Sequence, residues 1–155
     1  MNQVYLGLGS NLGDRAVFLQ SAIDELQSLG NVTKRSKIIE TAAWGITDVP
    51  SYLNMAVLLE TEILPLALIS KILQIETKLG RQRGQKWGSR VIDIDILFFN
   101  NWILNTEGLN IPHPFIVERM FVLDPLLELD EQLIHPILLK SIGQLHKELQ
   151  NETTA

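Results

Sequence analysis

The segment Asp93-Ile94-Asp95-Ile96-Leu97-Phe98-Phe99 constrains this chain more than any other. It reads as a strand that begins with acids and ends in continuous apolar residues. Residues two apart in a strand point to the same side, so Asp93 and Asp95 present paired carboxylates at the entry of an otherwise apolar strand. Adjacent anions repel, and burying either one unpaired costs several kcal/mol. Something positive must sit beside them. Two occupants are open at this point. One is arginine meeting a pair of surface acids. The other is a hard divalent cation, Mg²⁺ above all, held by oxygen ligands and shared with phosphate.

The residues just upstream favour the second. Arg81, Arg83, Lys86 and Arg90 follow Gly80 with no acid among them. Arginine's planar fork suits phosphate oxygens, and acids for metal beside arginines for phosphate are what metal-assisted phosphoryl transfer requires. A cationic run taken alone is more often a solvated loop; adjacency to the aspartates reverses that balance. Gly80, Gly84 and Gly88 allow the loop to close over a nucleotide and exclude water. The whole chain carries a net charge of −5, so it has no overall field for nucleic acid or anionic membrane. A local cationic loop on an acidic body suits a small anionic ligand.

Composition narrows the class further. With no cysteine, disulfide scaffolds, zinc-thiolate sites and thiol nucleophiles are excluded. The 155 residues suit one domain spanning 1–155. No leader pattern opens the chain, and no apolar run approaches the ~20 residues of a membrane span. A cytoplasmic protein without membrane association is expected.

Hydrophobic periodicity predicts strands over 4–9, 32–39, 53–61 and 91–99, and helices over 18–29, 65–79, 117–127 and 138–149. Residues 102–104 are expected to pair back as a hairpin after the Asn100-Asn101 turn, and 150–155 to fray. The order β-α-β-β-α-β with a C-terminal extension predicts an α+β sandwich of the ferredoxin-like kind, with helices on one sheet face.

Further candidates lie in loops. His113 and Arg119 flank the Pro112 and Pro114 positions, where a rigid extended segment suits contact with a phosphate. Trp44, Tyr52 and Asn54 suit a flat heteroaromatic ring, by stacking and by paired hydrogen bonds at its edge. Trp87 and Phe121 raise the same question, although a core role is the simpler reading of Tyr52 and Phe121. The glycines of Gly7-Leu8-Gly9-Ser10-Asn11-Leu12-Gly13 have GxGxxxG spacing, which is not a dinucleotide fingerprint, and no GxxxxGK[ST] occurs.

The stretch Lys86-Trp87-Gly88-Ser89-Arg90-Val91-Ile92-Asp93-Ile94-Asp95-Ile96-Leu97 resembles the signature of the 6-hydroxymethyl-7,8-dihydropterin pyrophosphokinase family. Further matches follow in the expected order: Gly7 to Asp14, Tyr52-Leu53-Asn54, Pro112-His113-Pro114, Glu118-Arg119 and Phe121-Val122-Leu123. The resemblance implies a ferredoxin-like fold and transfer of pyrophosphate from ATP to the pterin hydroxymethyl oxygen, releasing AMP. It implies two Mg²⁺ ions held by Asp93 and Asp95. ATP would be contacted by Glu76, Arg81, Arg83, Arg90, His113 and Arg119, and the pterin by Thr41, Trp44, Tyr52, Asn54, Trp87 and Phe121. Arg81, Arg90 and Asp95 would be the catalytic residues, and the expected state is a monomer. Ala42-Ala43 stand where family members commonly carry proline, and Pro114 where some carry tyrosine. The competing reading is a ferredoxin-like module that binds RNA or a small ligand without turnover. The RNA version would need aromatic-rich strands and a basic sheet face; neither the Val4 strand nor the Asp93 strand qualifies, and the latter carries two acids.

Overall fold

The computed structural model describes residues 1–42, 50–81 and 90–154. Its centre is β1 (Asn2–Ser10), paired antiparallel on one side with β4 (Tyr52–Thr61) and on the other with β5 (Asp93–Phe99). β2 (Asn31–Arg35) and β3 (Ile39–Thr41) both pair antiparallel with β4.

The single strand expected over 32–39 is thus two strands. Arg35 pairs with Val57 and Ile39 with Asn54, so this side carries one residue more than β4 does over the same stretch. Ser36 absorbs the extra residue. Its backbone N–H donates to Ala56 O, and its hydroxyl accepts from Ala56 N–H, each at 2.9 Å. The side chain replaces a ladder carbonyl, as at a β-bulge.

Helices α1 (Arg15–Leu26) and α2 (Pro65–Lys78) cover one sheet face. Asp14 caps α1 through Val17 N–H, and Pro65 opens α2 where a missing donor costs nothing. The core on this side joins Leu19, Leu26, Leu68 and Ile72 to Val4, Leu6, Leu59 and Phe99. This is the ferredoxin-like unit. The other face is covered by the C-terminal extension, helices α3 (Met120–Leu129) and α4 (Ile142–Thr154), packed on Tyr5, Ala56, Leu58, Leu97 and Phe98. The sheet is therefore buried on both faces.

A bulge in the β1–β5 pairing divides the apolar end of β5 between the two faces. Tyr5 pairs with Phe98 but Leu6 pairs with Ile96, leaving Leu97 unpaired with β1. Leu97 and Phe98 then both join the α3/α4 core, while Ile96 and Phe99 join the other. Strict alternation would have sent Phe98 to the opposite face.

The remaining differences are local. Residues 102–104 do not pair back on β5; β6 (Leu104–Thr106) and β7 (Leu109–Ile111) form their own hairpin, turning at Gly108 with φ +93°. Asn100 closes the end of β5 instead: its N–H donates to Gln3 O at 2.8 Å, and its side-chain oxygen accepts from Gln3 N–H at 2.9 Å. The helix expected over 117–127 is a 3-10 turn (Ile116–Glu118) followed by α3. α4 starts later than expected because Leu139 has φ +59° and the bridge Ile134–Ser141 precedes it; the tail expected to fray is helical through Thr154. His135 and His146 are structural: His135 Nδ1 accepts from Ile137 and Leu138 N–H, and His146 Nε2 lies 2.6 Å from Asp124 Oδ1. No helix among the described residues is long and apolar enough to cross a membrane.

Candidate active site

The floor of the site is the end of the sheet where β1 carries glycine twice. Gly9 lies between Asn54 of β4 and Asp93 of β5, and Gly7 between Ala56 and Asp95. Cross-strand partners share a face, so Asn54, Asp93 and Asp95 rise on the α3/α4 side together with Tyr52. Glycine keeps the middle of that floor open. A Cβ on Gly9 would lie 3.1 Å from Asn54 Oδ1, and one on Gly7 3.4 Å from Leu97 Cδ1. The result is a cavity of about 690 Å³, with Tyr52, Asn54 and Thr41 on one bank and Asp93, Asp95 and Arg90 on the other. Phe115 and Arg119, on either side of the 3-10 turn, and Phe121, in the first turn of α3, complete its wall.

The acidic bank is under electrostatic load. The Asp95 carboxyl is pushed up to about 7, first by burial, then by the charges of Asp93 and Glu76; Arg119 and Arg81 act in the opposite direction. Arg81 Nη1 bridges the acids, 3.0 Å from Asp93 Oδ1 and 2.8 Å from Glu76 Oε2. Glu76 is only 1% exposed. Its Oε2 also accepts from Ile94 N–H at 2.7 Å, while Oε1 has no partner among the described residues. Burial raises its pKa, against the pull of the Ile94 N–H and Arg81. Glu76 therefore faces Arg81 and the β5 backbone from the α2 side and is not on the cavity wall.

The opposite bank is built for a planar ligand. Asn54 Nδ2 donates to Thr41 Oγ1 at 2.7 Å. That fixes the amide orientation and leaves its oxygen and second N–H for a ligand edge. Tyr52 sits beside it, its pKa raised by burial and then by Asp93, with Arg90 and Arg81 opposing. Arg119 carries its guanidinium 5.1 Å from the Phe115 ring centroid and 5.6 Å from that of Phe121. This cation–π pairing holds a positive charge at the wall. His113 stands just off it: its N–H donates to Leu97 O, and Phe115 N–H donates to its Nδ1. Burial and Arg119 lower its pKa, so at neutral pH its imidazole is uncharged.

The structure thus brings Thr41, Tyr52, Asn54, Arg90, Asp93, Asp95, Arg119 and Phe121 to one cavity, with Arg81 tied to Asp93. Trp44, Arg83 and Trp87, also expected here, lie outside the described residues. Sequence reasoning missed Asn11. It is 1% exposed; its Oδ1 accepts from Arg90 N–H at 2.6 Å, and its Nδ2 donates to Pro50 O at 3.1 Å. Its own N–H donates to Arg90 O at 2.9 Å. One side chain therefore fixes both Pro50 and Arg90. The signal was present in the Gly9-Ser10-Asn11 run, but a polar residue there read as turn chemistry. The apolar residues Met120, Val122 and Leu149 also line the cavity; helical periodicity does not distinguish a core face from a cavity face.

Residues 5–131 match the model of the 7,8-dihydro-6-hydroxymethylpterin-pyrophosphokinase (HPPK) family. The chain is 41% identical over 148 residues to the 2-amino-4-hydroxy-6-hydroxymethyldihydropteridine pyrophosphokinase of Aquifex aeolicus, covering 96% of this chain and 92% of that one. It is 45% identical over 134 residues to the enzyme of the same name from Bacillus subtilis, covering 85% and 80%. Among solved structures, a Plasmodium falciparum HPPK-DHPS chain superposes with a TM-score of 0.79 at 18% identity; the match covers 95% of this chain and 45% of that one. At that identity the likeness is one of fold.

Proposed function

Because the chain belongs to the 7,8-dihydro-6-hydroxymethylpterin-pyrophosphokinase family, and so transfers pyrophosphate from ATP to the hydroxymethyl group of the pterin in folate biosynthesis, we propose that it does so in the cavity above Gly7 and Gly9. The observation that supports this most is the juxtaposition of a paired-aspartate bank with an amide-and-aromatic bank across a floor without side chains. Such a floor lets a flat ring and a triphosphate lie edge to edge.

Asn54 and Thr41 read the amide edge of the pterin, with Tyr52 and Phe121 against the ring; Trp44 and Trp87 complete this set. Arg119 and Arg90 take phosphate oxygens, with Arg83 and His113. Glu76 acts through Arg81, holding it beside Asp93. The donor set suits Mg²⁺. Asp93 and Asp95 are hard oxygen donors, and their mutual repulsion leaves Asp95 in need of a cation. Among the described residues no group of three His, Cys, Asp or Glu side chains is arranged to hold a metal ion by itself. Mg²⁺ commonly takes one or two carboxylates and completes its shell with water and substrate phosphate. When bound, two such ions supply charge neutralisation on the triphosphate.

The chain's own contribution is positioning. Asn54 and Phe121 hold the ring so that its hydroxymethyl oxygen points toward the aspartate bank, in line with the β-phosphorus and opposite the departing AMP. Arg81 and Arg90 meet charge that grows on the leaving phosphate. In this reading Asp95 would accept the hydroxyl proton. The same reading makes the protein a cytoplasmic monomer, with small molecules and not nucleic acid as its partners.

The decisive experiment is AMP formation from ATP with and without Mg²⁺ and 6-hydroxymethyl-7,8-dihydropterin. AMP that requires both, matched by pterin pyrophosphate, is the expected result. Pterin binding without AMP from a folded sample would refute the catalytic reading and leave a binding module.

A further inference from the structure

No residue assigned above to ring or phosphate comes from α4, yet α4 reaches the cavity. It runs antiparallel to α3. Gly143 N–H donates to Glu131 O at 2.9 Å, just beyond the end of α3. One turn on, His146 Nε2 is 2.6 Å from Asp124 Oδ1. Each turn of α4 therefore approaches the start of α3, where Arg119 and Phe121 stand. Leu149 and Thr153, spaced i and i+4 on one helix face, are both on the cavity wall.

The surroundings of Leu149 are apolar. Leu149 packs against the cluster that contains Ala56, Leu97 and Leu123. Ala56, Leu97, Met120 and Val122 line the same cavity. The Thr153 hydroxyl donates to Gln150 O at 3.0 Å, so its hydrogen-bonding capacity is partly spent inside the helix. Along the sheet, the row Asn54–Gly9–Asp93 is polar, and beyond Ala56–Gly7–Asp95 the floor turns apolar at Leu97. The cavity has a charged end and an apolar end, and α4 walls the apolar one.

We propose that Leu149 and Thr153 are specificity-determining positions for the pterin: they close the apolar end of the cavity beyond the ring and set the size of apolar substituent the ring can carry. This rests on the ring being seated against Tyr52, Asn54 and Phe121. The test uses the full chain with Leu149→Trp, Thr153→Trp and, on the exposed side of α4, Lys147→Trp. KM for pterin, KM for ATP and kcat are measured, together with calorimetric binding of 6-hydroxymethyl-7,8-dihydropterin in the presence of Mg²⁺ and a non-hydrolysable ATP analogue. Leu149→Trp and Thr153→Trp should each weaken pterin binding about tenfold and leave the KM for ATP unchanged. Lys147→Trp should alter neither.

Should Leu149→Trp fail to fold, Thr153→Trp, at an exposed position, carries the test. Unchanged pterin binding in folded Thr153→Trp and Leu149→Trp overturns the inference. A raised KM for ATP with intact pterin binding overturns it differently, by placing phosphate and not the ring beside α4; the ring assignment then fails as well. A wild-type protein that binds pterin but makes no AMP refutes the catalytic reading alone, and the calorimetric comparison still decides the role of α4.

Discussion

Replacing Asp95 by asparagine should make the metal-free protein more stable while removing its activity. The native carboxyl holds its proton up to about 7, whereas its ordinary value is 3.8. Between those values the folded chain binds more protons than the unfolded chain, so rising pH drains stability from the native state. About three units at ~1.4 kcal/mol each set a ceiling of about 4 kcal/mol. The opposing charges of Arg119 and Arg81 are already contained in that shift, but the buried asparagine amide must still be desolvated, so a gain of about 2 kcal/mol is expected, which for a chain of this length is about 4–8 °C in Tm. The assay is thermal unfolding of wild type and Asp95→Asn in chelator, from pH 3.5 to 8. The two should nearly converge at the acid end, where the aspartate is neutral in the native state and mostly neutral in the unfolded state. The variant should pull ahead through the window from about 4 to about 7 and keep a constant lead above it. Added Mg²⁺ should raise the wild-type Tm and narrow the gap, because a ligand of the native state stabilises it by mass action. A variant less stable than wild type at pH 8 without metal, or a gap that does not close on acidification, would refute the account of a strained carboxylate pair.

Three further outcomes follow from the same geometry. Gly9→Ala should raise the KM for pterin several-fold with little change in Tm, because the added Cβ lies 3.1 Å from Asn54 Oδ1 and must displace that amide; unchanged pterin kinetics would remove Asn54 from the ring edge. Asn11→Ala should cost about 2–3 kcal/mol in denaturant melts, since it strands Arg90 N–H and Pro50 O, and should lower kcat as Arg90 loses its anchor; full activity would show that the anchor is dispensable. Arg81→Ala should leave the buried Glu76 carboxylate without its cation. Its already raised pKa should then rise further, so the stability deficit should grow as pH climbs above about 4.5. Adding Glu76→Gln should recover most of the loss in chemical denaturation, and no recovery would mean that Glu76 is not the group Arg81 neutralises.

The acid pair and the cationic approach to it were legible as sequence, because each depends on spacing within one segment; the first-strand glycines read there only as a spacing that fits no dinucleotide fingerprint. Period-two alternation places Asp93 and Asp95 on one side of a strand whatever the strand packs against. What spacing does not carry is which segments meet. The face occupied by Phe98 depends on a bulge at Leu97, and the register that sets Gly9 between Asn54 and Asp93 depends on hydrogen bonds between strands some 40 residues or more apart in the chain. Asn11 acquires its role only because Pro50 and Arg90 arrive beside it. Glu76, whose helical position is easily read, takes its character from burial against Ile94 and Arg81. Leu149 shows the limit most clearly. Its periodicity marks it as apolar and inward-facing, but whether inward means core or cavity is decided by how far α4 extends past α3. That arrangement is a property of the two helices packed together and not of either helix alone.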